Sequence, residues 1–150
     1  MPRLLLVPHS PTPSIRSIAD AVIEGARSAA DDGVEIVVRE ALDATIEDVL
    51  AADGYLLGTP ANFGYISGAL KHFFDTTYDD THQATARRPF SYWIHGRFDT
   101  TGAERAMQSI TTGYKFKLAH EPLVFTGDVS EEHLGAAAEL GATVAWTLTM

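Results

Sequence analysis

The chain has 150 residues, 45% apolar and 21% charged, which fits one globular domain over 1–150 and excludes a disordered chain. It contains no cysteine, so a disulfide framework, a thiolate metal site and thiol catalysis are excluded. With 11 Lys+Arg against 20 Asp+Glu the net charge is −9; such a chain repels phosphate backbones and anionic membranes, so no nucleic-acid or membrane partner is expected.

The first apolar run is Leu4 to Val7, before Pro8. It is too short for a signal-peptide core or a membrane span, and a cytoplasmic protein is expected. Arg3–Val7 reads as a buried strand. Ser14–Ala30 places Ile15, Ile18, Ala19, Val22 and Ala26 at helical spacing. Ser14 is its predicted N-cap, and Gly33 is placed to end it in the left-handed conformation. Val34–Arg39 is β-branched and reads as the second strand. Thr45 opens a short helix, with Asp48 as its capping-box partner. Tyr55–Gly58 is the third strand, and Ile66–Tyr78 the third helix. Asp79–Pro89 is predicted as the longest loop. Phe90–His95 is the fourth strand, and Thr101 with Glu104 forms a predicted capping box opening the fourth helix. Leu123–Thr126 is the core of the fifth strand, and Ser130 caps the last helix, with Glu131 and Glu132 favourable to its dipole.

Regular alternation of strand and helix implies a parallel sheet with right-handed crossovers and helices on both faces. The predicted fold is an α/β, three-layer α/β/α sandwich around a five-stranded parallel sheet of order 2-1-3-4-5. Ligands in such sheets sit outside the carboxyl ends of the strands, at the switch between the first and third. Three loops therefore matter.

The first, His9 to Ser14, sets hydroxyls directly before a helix N-terminus, where free N–H groups and the helix dipole attract an anion. It has no Lys, which suits a monophosphate. No GxxxxGK[ST] and no GxGxxG occurs in the chain, so neither nucleotide fingerprint is present. An ordinary proline-rich turn accounts for this loop equally well. The second, Gly58 to Gly68, offers two aromatics, an Asn and glycines. That mixture suits a flat heterocycle with one polar edge, and equally a turn whose aromatics cover the core. The third, His95 to Gly102, adds Gly, Thr and aromatic residues; helix capping alone would explain Thr100 and Thr101.

The stretch GTPANFGYISGALKHFFDTTY resembles the flavin-binding loop and following helix of the flavodoxin-like NAD(P)H-dependent FMN reductases and their quinone-reducing relatives. Gly58, Thr59, Pro60, Asn62, Phe63 and Gly64 match the loop pattern. Leu70, Lys71, Phe73 or Phe74, and Asp75 match the helix. The resemblance implies a flavodoxin-like fold and non-covalent FMN. The flavin phosphate would be held by Ser10, Thr12, Ser14 and the N–H of Ile15. The ring would pack on Thr59, Pro60, Ala61, Asn62, Phe63 and Gly64, and His95, Gly96, Arg97, Thr100, Thr101 and Gly102 would close the other side. NADH or NADPH would donate hydride, and a flavin, quinone or similar small molecule would accept the electrons. No protein acid, base or nucleophile is expected, because the cofactor supplies the reactive chemistry. Two alternatives stay open: an electron carrier with no reaction of its own, and a domain that has lost FMN, since Pro11 and Pro13 lack N–H donors; the resemblance also leaves open a homodimer completing the site.

Other chemistries find little support. Six histidines show no metal-ligand spacing, so no metal site is expected. Asp53 precedes the third strand, whereas a phosphoacceptor would follow it. No GxSxG elbow is present. Arg87 and Arg88 read as a solvated loop pair; no spacing supports a contact with the NADPH phosphate.

Overall fold

The computed structural model describes residues 1–150. Its strands are β1 (Arg3–Pro8), β2 (Glu35–Val38), β3 (Gly54–Asn62), β4 (Tyr65–Ile66), β5 (Pro89–Gly96), β6 (Lys117–Leu118) and β7 (Leu123–Thr126). Its helices are α1 (Pro13–Ala30), α2 (Ile46–Ala51), α3 (Gly68–Thr81), α4 (Thr101–Tyr114) and α5 (Glu131–Thr147). No helix is long and apolar enough to cross a membrane.

The parallel sheet runs β2-β1-β3-β5-β6, and β7 also pairs with β5. This is the flavodoxin-like order expected from the sequence, with the fifth position divided between two short strands. β6 pairs with Pro89 and Phe90, β7 with Trp93 to Gly96, both in parallel. Between them the chain bows out, held by Ala119 N–H to the Phe90 carbonyl at 2.8 Å and by the Ser91 hydroxyl to the His120 carbonyl at 2.8 Å.

Side-chain alternation along the strands builds two cores. Leu5, Val7, Tyr55 and Leu57 face α2, α3 and α4. Leu4, Leu6, Leu56 and Trp93 face α1 and α5.

Several local expectations are corrected. The N-cap of α1 is Thr12, not Ser14: its hydroxyl accepts the Ile15 N–H at 3.3 Å, and Pro13 takes the first helical position, where no N–H is needed. Asp31 (φ 41°) and Asp32 (φ 65°) provide the left-handed turn after α1, not Gly33; aspartate tolerates that conformation by bonding locally. The α2 capping box forms as expected, with Thr45 N–H to Asp48 at 3.0 Å and Asp48 N–H to Thr45 at 3.1 Å.

β3 extends four residues past Gly58, because pairing with β5 continues through Thr59↔Ile94 and Pro60↔His95. Ile66 belongs to β4, not to the helix, and Ser67 caps α3. Asp79–Pro89 is not simply a loop: α3 runs to Thr81 and a further turn follows, its buried Thr81 and Thr85 hydroxyls bonding back to carbonyls one turn earlier.

The Thr101/Glu104 capping box does not form. Asp99 captures both the Thr101 N–H, at 3.0 Å, and its hydroxyl, at 2.8 Å. Thr100 becomes the cap residue and donates its hydroxyl to Glu104 at 2.9 Å. Ser130 caps α5 as expected, and the reciprocal bond of its box comes from His133.

Candidate functional site

Parallel pairing brings the three loops together at the carboxyl end of β1, β3 and β5. The first is tied to β3 by the His9 N–H, which donates to the Gly58 carbonyl at 2.9 Å. Ser10 is 6% exposed and its hydroxyl has no hydrogen-bond partner. A buried, unpaired hydroxyl is unfavourable unless something else satisfies it. In the first turn of α1, Thr12 already accepts the Ile15 N–H, and its carbonyl accepts that of Arg16 at 2.8 Å. Pro13 has no N–H, and the N–H groups of Ser10, Thr12 and Ser14 are without a protein acceptor, as is the buried Ser10 hydroxyl. Thr12 and Ser14 themselves are exposed.

The second loop is a tight hairpin. Asn62 pairs with Tyr65, and the two residues between, Phe63 (φ 49°) and Gly64 (φ 75°), are both left-handed. That is the backbone a two-residue turn needs to follow the twist of its strands. Phe63 is fully exposed at the tip. Of the other predicted residues, Thr59 is buried, and its hydroxyl donates to the Pro60 carbonyl at 2.8 Å and accepts the Ser67 N–H at 2.9 Å. It clamps the hairpin base to the start of α3, while Pro60 is buried, Ala61 half-buried and Asn62 exposed.

In the third loop His95 is half-buried, its Nε2 2.7 Å from the Gly127 carbonyl oxygen. The Gly127 N–H donates to the Gly96 carbonyl at 3.1 Å. Arg97 is exposed, Thr100 is buried and bonded to Glu104, and Thr101 is bonded to Asp99. The two hydrogen bonds from Thr101 hold the Asp99 carboxyl below the ordinary aspartate range. Gly102 meets the second loop: a Cβ added there would run into the Gly64 carbonyl.

The structure thus gathers all three predicted segments at one end of the sheet. It directs the Thr59, Thr100 and Thr101 hydroxyls toward neighbouring protein groups, and leaves Ser10 unpartnered. Phe98, 87% exposed, and Tyr65 join Phe63 as exposed aromatics on these loops. Neither was among the predicted site residues: aromatic content was readable in the sequence, exposure was not. Arg87 and Arg88 precede β5 and so lie at the opposite, amino end. Arg88 is not a solvated residue: its Nη1 donates to the Leu50 carbonyl at 3.0 Å and the Ala52 carbonyl at 2.6 Å, capping α2. No group of His, Asp or Glu is arranged to hold a metal ion.

The chain is similar to several known proteins. It is 39% identical over 80 residues to a flavodoxin of Aquifex aeolicus, covering 53% of this chain and 42% of that one. It is 30% identical over 97 residues to an NAD(P)H dehydrogenase (quinone) of Acidithiobacillus ferrooxidans, covering 51% and 48%. It spans about half the length of the curated relatives it matches. Among solved structures, an archaeal flavodoxin superposes with TM-score 0.80 at 12% identity over 99% of both chains. A WrbA-like flavodoxin from Agrobacterium tumefaciens superposes with TM-score 0.78 at 20% identity over 99% of this chain and 98% of that one. These likenesses establish the flavodoxin-like fold. Residues 14–127, which run from the first turn of α1 past the end of β7 and take in the second and third loops, match the family described as NADPH-dependent FMN reductase, and to that family the chain belongs.

Proposed function

We propose that the chain binds FMN non-covalently between the three loops and acts as an NAD(P)H-dependent reductase of a flavin, quinone or similar acceptor. The observation that carries this reading is the Ser10 hydroxyl, buried and unpartnered at the N-terminus of an 18-residue helix. A phosphate there would receive that hydroxyl, the Ser14 N–H and the positive end of the α1 dipole. Phe63 and the hairpin would form one wall of the ring site, and the segment from Gly96 to Gly102 the other. When bound, FMN would supply hydride acceptance from reduced nicotinamide and electron delivery to the acceptor. The chain's own residues would bind and orient the cofactor, with no acid, base or nucleophile required of them.

Titration with FMN, riboflavin and FAD, followed by fluorescence quenching, tests the phosphate site: FMN should bind tightest, and equal riboflavin binding would defeat it. Stopped-flow mixing of the FMN-loaded protein with NADH and with NADPH tests the reaction, with bleaching of the flavin as the expected result.

A second reading, an electron carrier with no reaction of its own, is favoured by the net charge of −9, which suits docking to basic partners. If dithionite bleaches the bound flavin and neither nucleotide does, this reading replaces the first.

A further inference from the structure

We infer that Gly102 is a positioning residue for the cofactor cleft: by giving the Gly64 carbonyl a seat on α4, it fixes the height of Phe63 above the sheet. This rests on the FMN reading of the cleft. Left-handed backbone disfavours a bulky aromatic, and two-residue hairpin turns prefer Asn, Asp or Gly where Phe63 stands. The exposed ring gains nothing from burial to offset that. Such a residue persists where its surroundings hold it in place.

The holding contacts are visible at both ends of the hairpin. At the base, the Thr59 hydroxyl accepts the Ser67 N–H at 2.9 Å. At the tip, the Gly64 carbonyl lies against Gly102, where any Cβ would displace it. Gly102 does not have a left-handed φ, and it lies inside α4, where glycine is a poorer helix former than alanine. Backbone freedom therefore does not explain this glycine; close approach does. Its seat is firm, because Thr101 is bonded to Asp99, Thr100 to Glu104, and Ala103 is fully buried. The second and third loops thus touch where the Gly64 carbonyl meets Gly102, so the two walls are joined at that point rather than being independent flaps.

The test combines amide hydrogen exchange with a double-mutant cycle on the whole chain. In the flavin-free protein, Gly102→Ala should speed exchange at Tyr65 and shift the resonances of Phe63 to Tyr65. Gly135→Ala, whose added methyl meets open space, should leave them unchanged. With FMN, Gly102→Ala should weaken binding about tenfold, comparable to losing an aromatic stacking contact. In a Phe63→Ala background it should weaken binding no further. Additive losses, or unchanged exchange in Gly102→Ala, would overturn the inference. If the wild type binds no FMN, the cofactor reading fails, while the exchange result still decides whether Gly102 seats the hairpin. If Gly102→Ala does not fold, Gly102→Ala/Phe63→Gly, whose turn can yield, is compared with Phe63→Gly alone. Faster Tyr65 exchange is again the expected result, and equal exchange overturns the inference.

Discussion

At the amino end of the sheet, one Arg88 nitrogen reaches the carbonyl oxygens of Leu50 and Ala52, and Asp53 accepts the Arg3 N–H at 2.8 Å. At the carboxyl end, the Ser10 hydroxyl is buried with no partner and Phe63 stands in solvent on a left-handed backbone. The same strands pass through both regions, so sheet geometry is not the cause. At one end, helix and strand ends are closed by side chains that match them. At the other, favourable local interactions are left unmade, which is expected where a ligand completes the structure. Substitutions at the two ends should therefore fail in different ways: in stability at the amino end, in binding at the carboxyl end.

Two phenylalanines sharpen that contrast most. Phe73 lies in the core beneath α3, and Phe73→Ala should destabilise the flavin-free protein by about 3–5 kcal/mol. Phe63→Ala should change stability by less than about 0.5 kcal/mol, as for an exposed site, yet weaken FMN binding about tenfold. Urea melts and flavin titrations of both variants check this. Comparable melting losses would make Phe63 a structural residue.

Arg88→Met comes next. It removes the donor facing the α2 carbonyls, and should lower stability by about 1–3 kcal/mol with FMN affinity unchanged. A change in the flavin dissociation constant of the folded variant would break the division between the two ends.

Ser10→Ala should have the opposite signature. Removing a buried, unpartnered hydroxyl leaves the flavin-free melting temperature unchanged or slightly higher. The loss of one hydrogen bond to a charged phosphate should weaken FMN binding by roughly 1.5–3 kcal/mol and leave riboflavin binding unaffected. Equal losses for both flavins would mean that Ser10 does not serve the phosphate.

The smallest effect is expected from Asp99. Its folded pKa lies below the ordinary value because Thr101 bonds to the carboxylate. Its contribution to stability is therefore present above about pH 4, the unfolded range, and is lost as pH falls through the lower folded value. Following the Thr101 amide by NMR through acid titration should show this transition below the range of a free aspartate. Asp99→Asn should abolish it.

The sheet order and the three converging loops were legible in the sequence because apolar runs and helical spacing report which faces are buried. Helix ends were less legible, since they depend on competition between neighbours. Thr101 with Glu104 matches a capping pattern, but Asp99, two residues before Thr101, binds it first. Ser14 is a good cap by type, yet Pro13 shifts the helix start to Thr12. The candidate site is legible as a set of segments, not as a set of free donors: nothing in residue type separates the engaged Thr59 hydroxyl from the unpartnered Ser10 hydroxyl. The seat beneath Gly64 was invisible for a related reason. The two glycines are 38 positions apart, and only folding brings them into contact.

The divided fifth strand has a consequence for how this protein behaves in a crowded solution. An unpaired outer strand is a template on which another chain can add itself, and long flat rims of this kind seed aggregates. Here β6 spans two residues and β7 four, and the bowed segment between them carries Glu121 and Pro122. A charged residue and one without an N–H thus interrupt the rim at its middle. An incoming strand finds no straight run longer than β7 to follow, and the break guards against edge-to-edge assembly during the time the chain spends without its ligand.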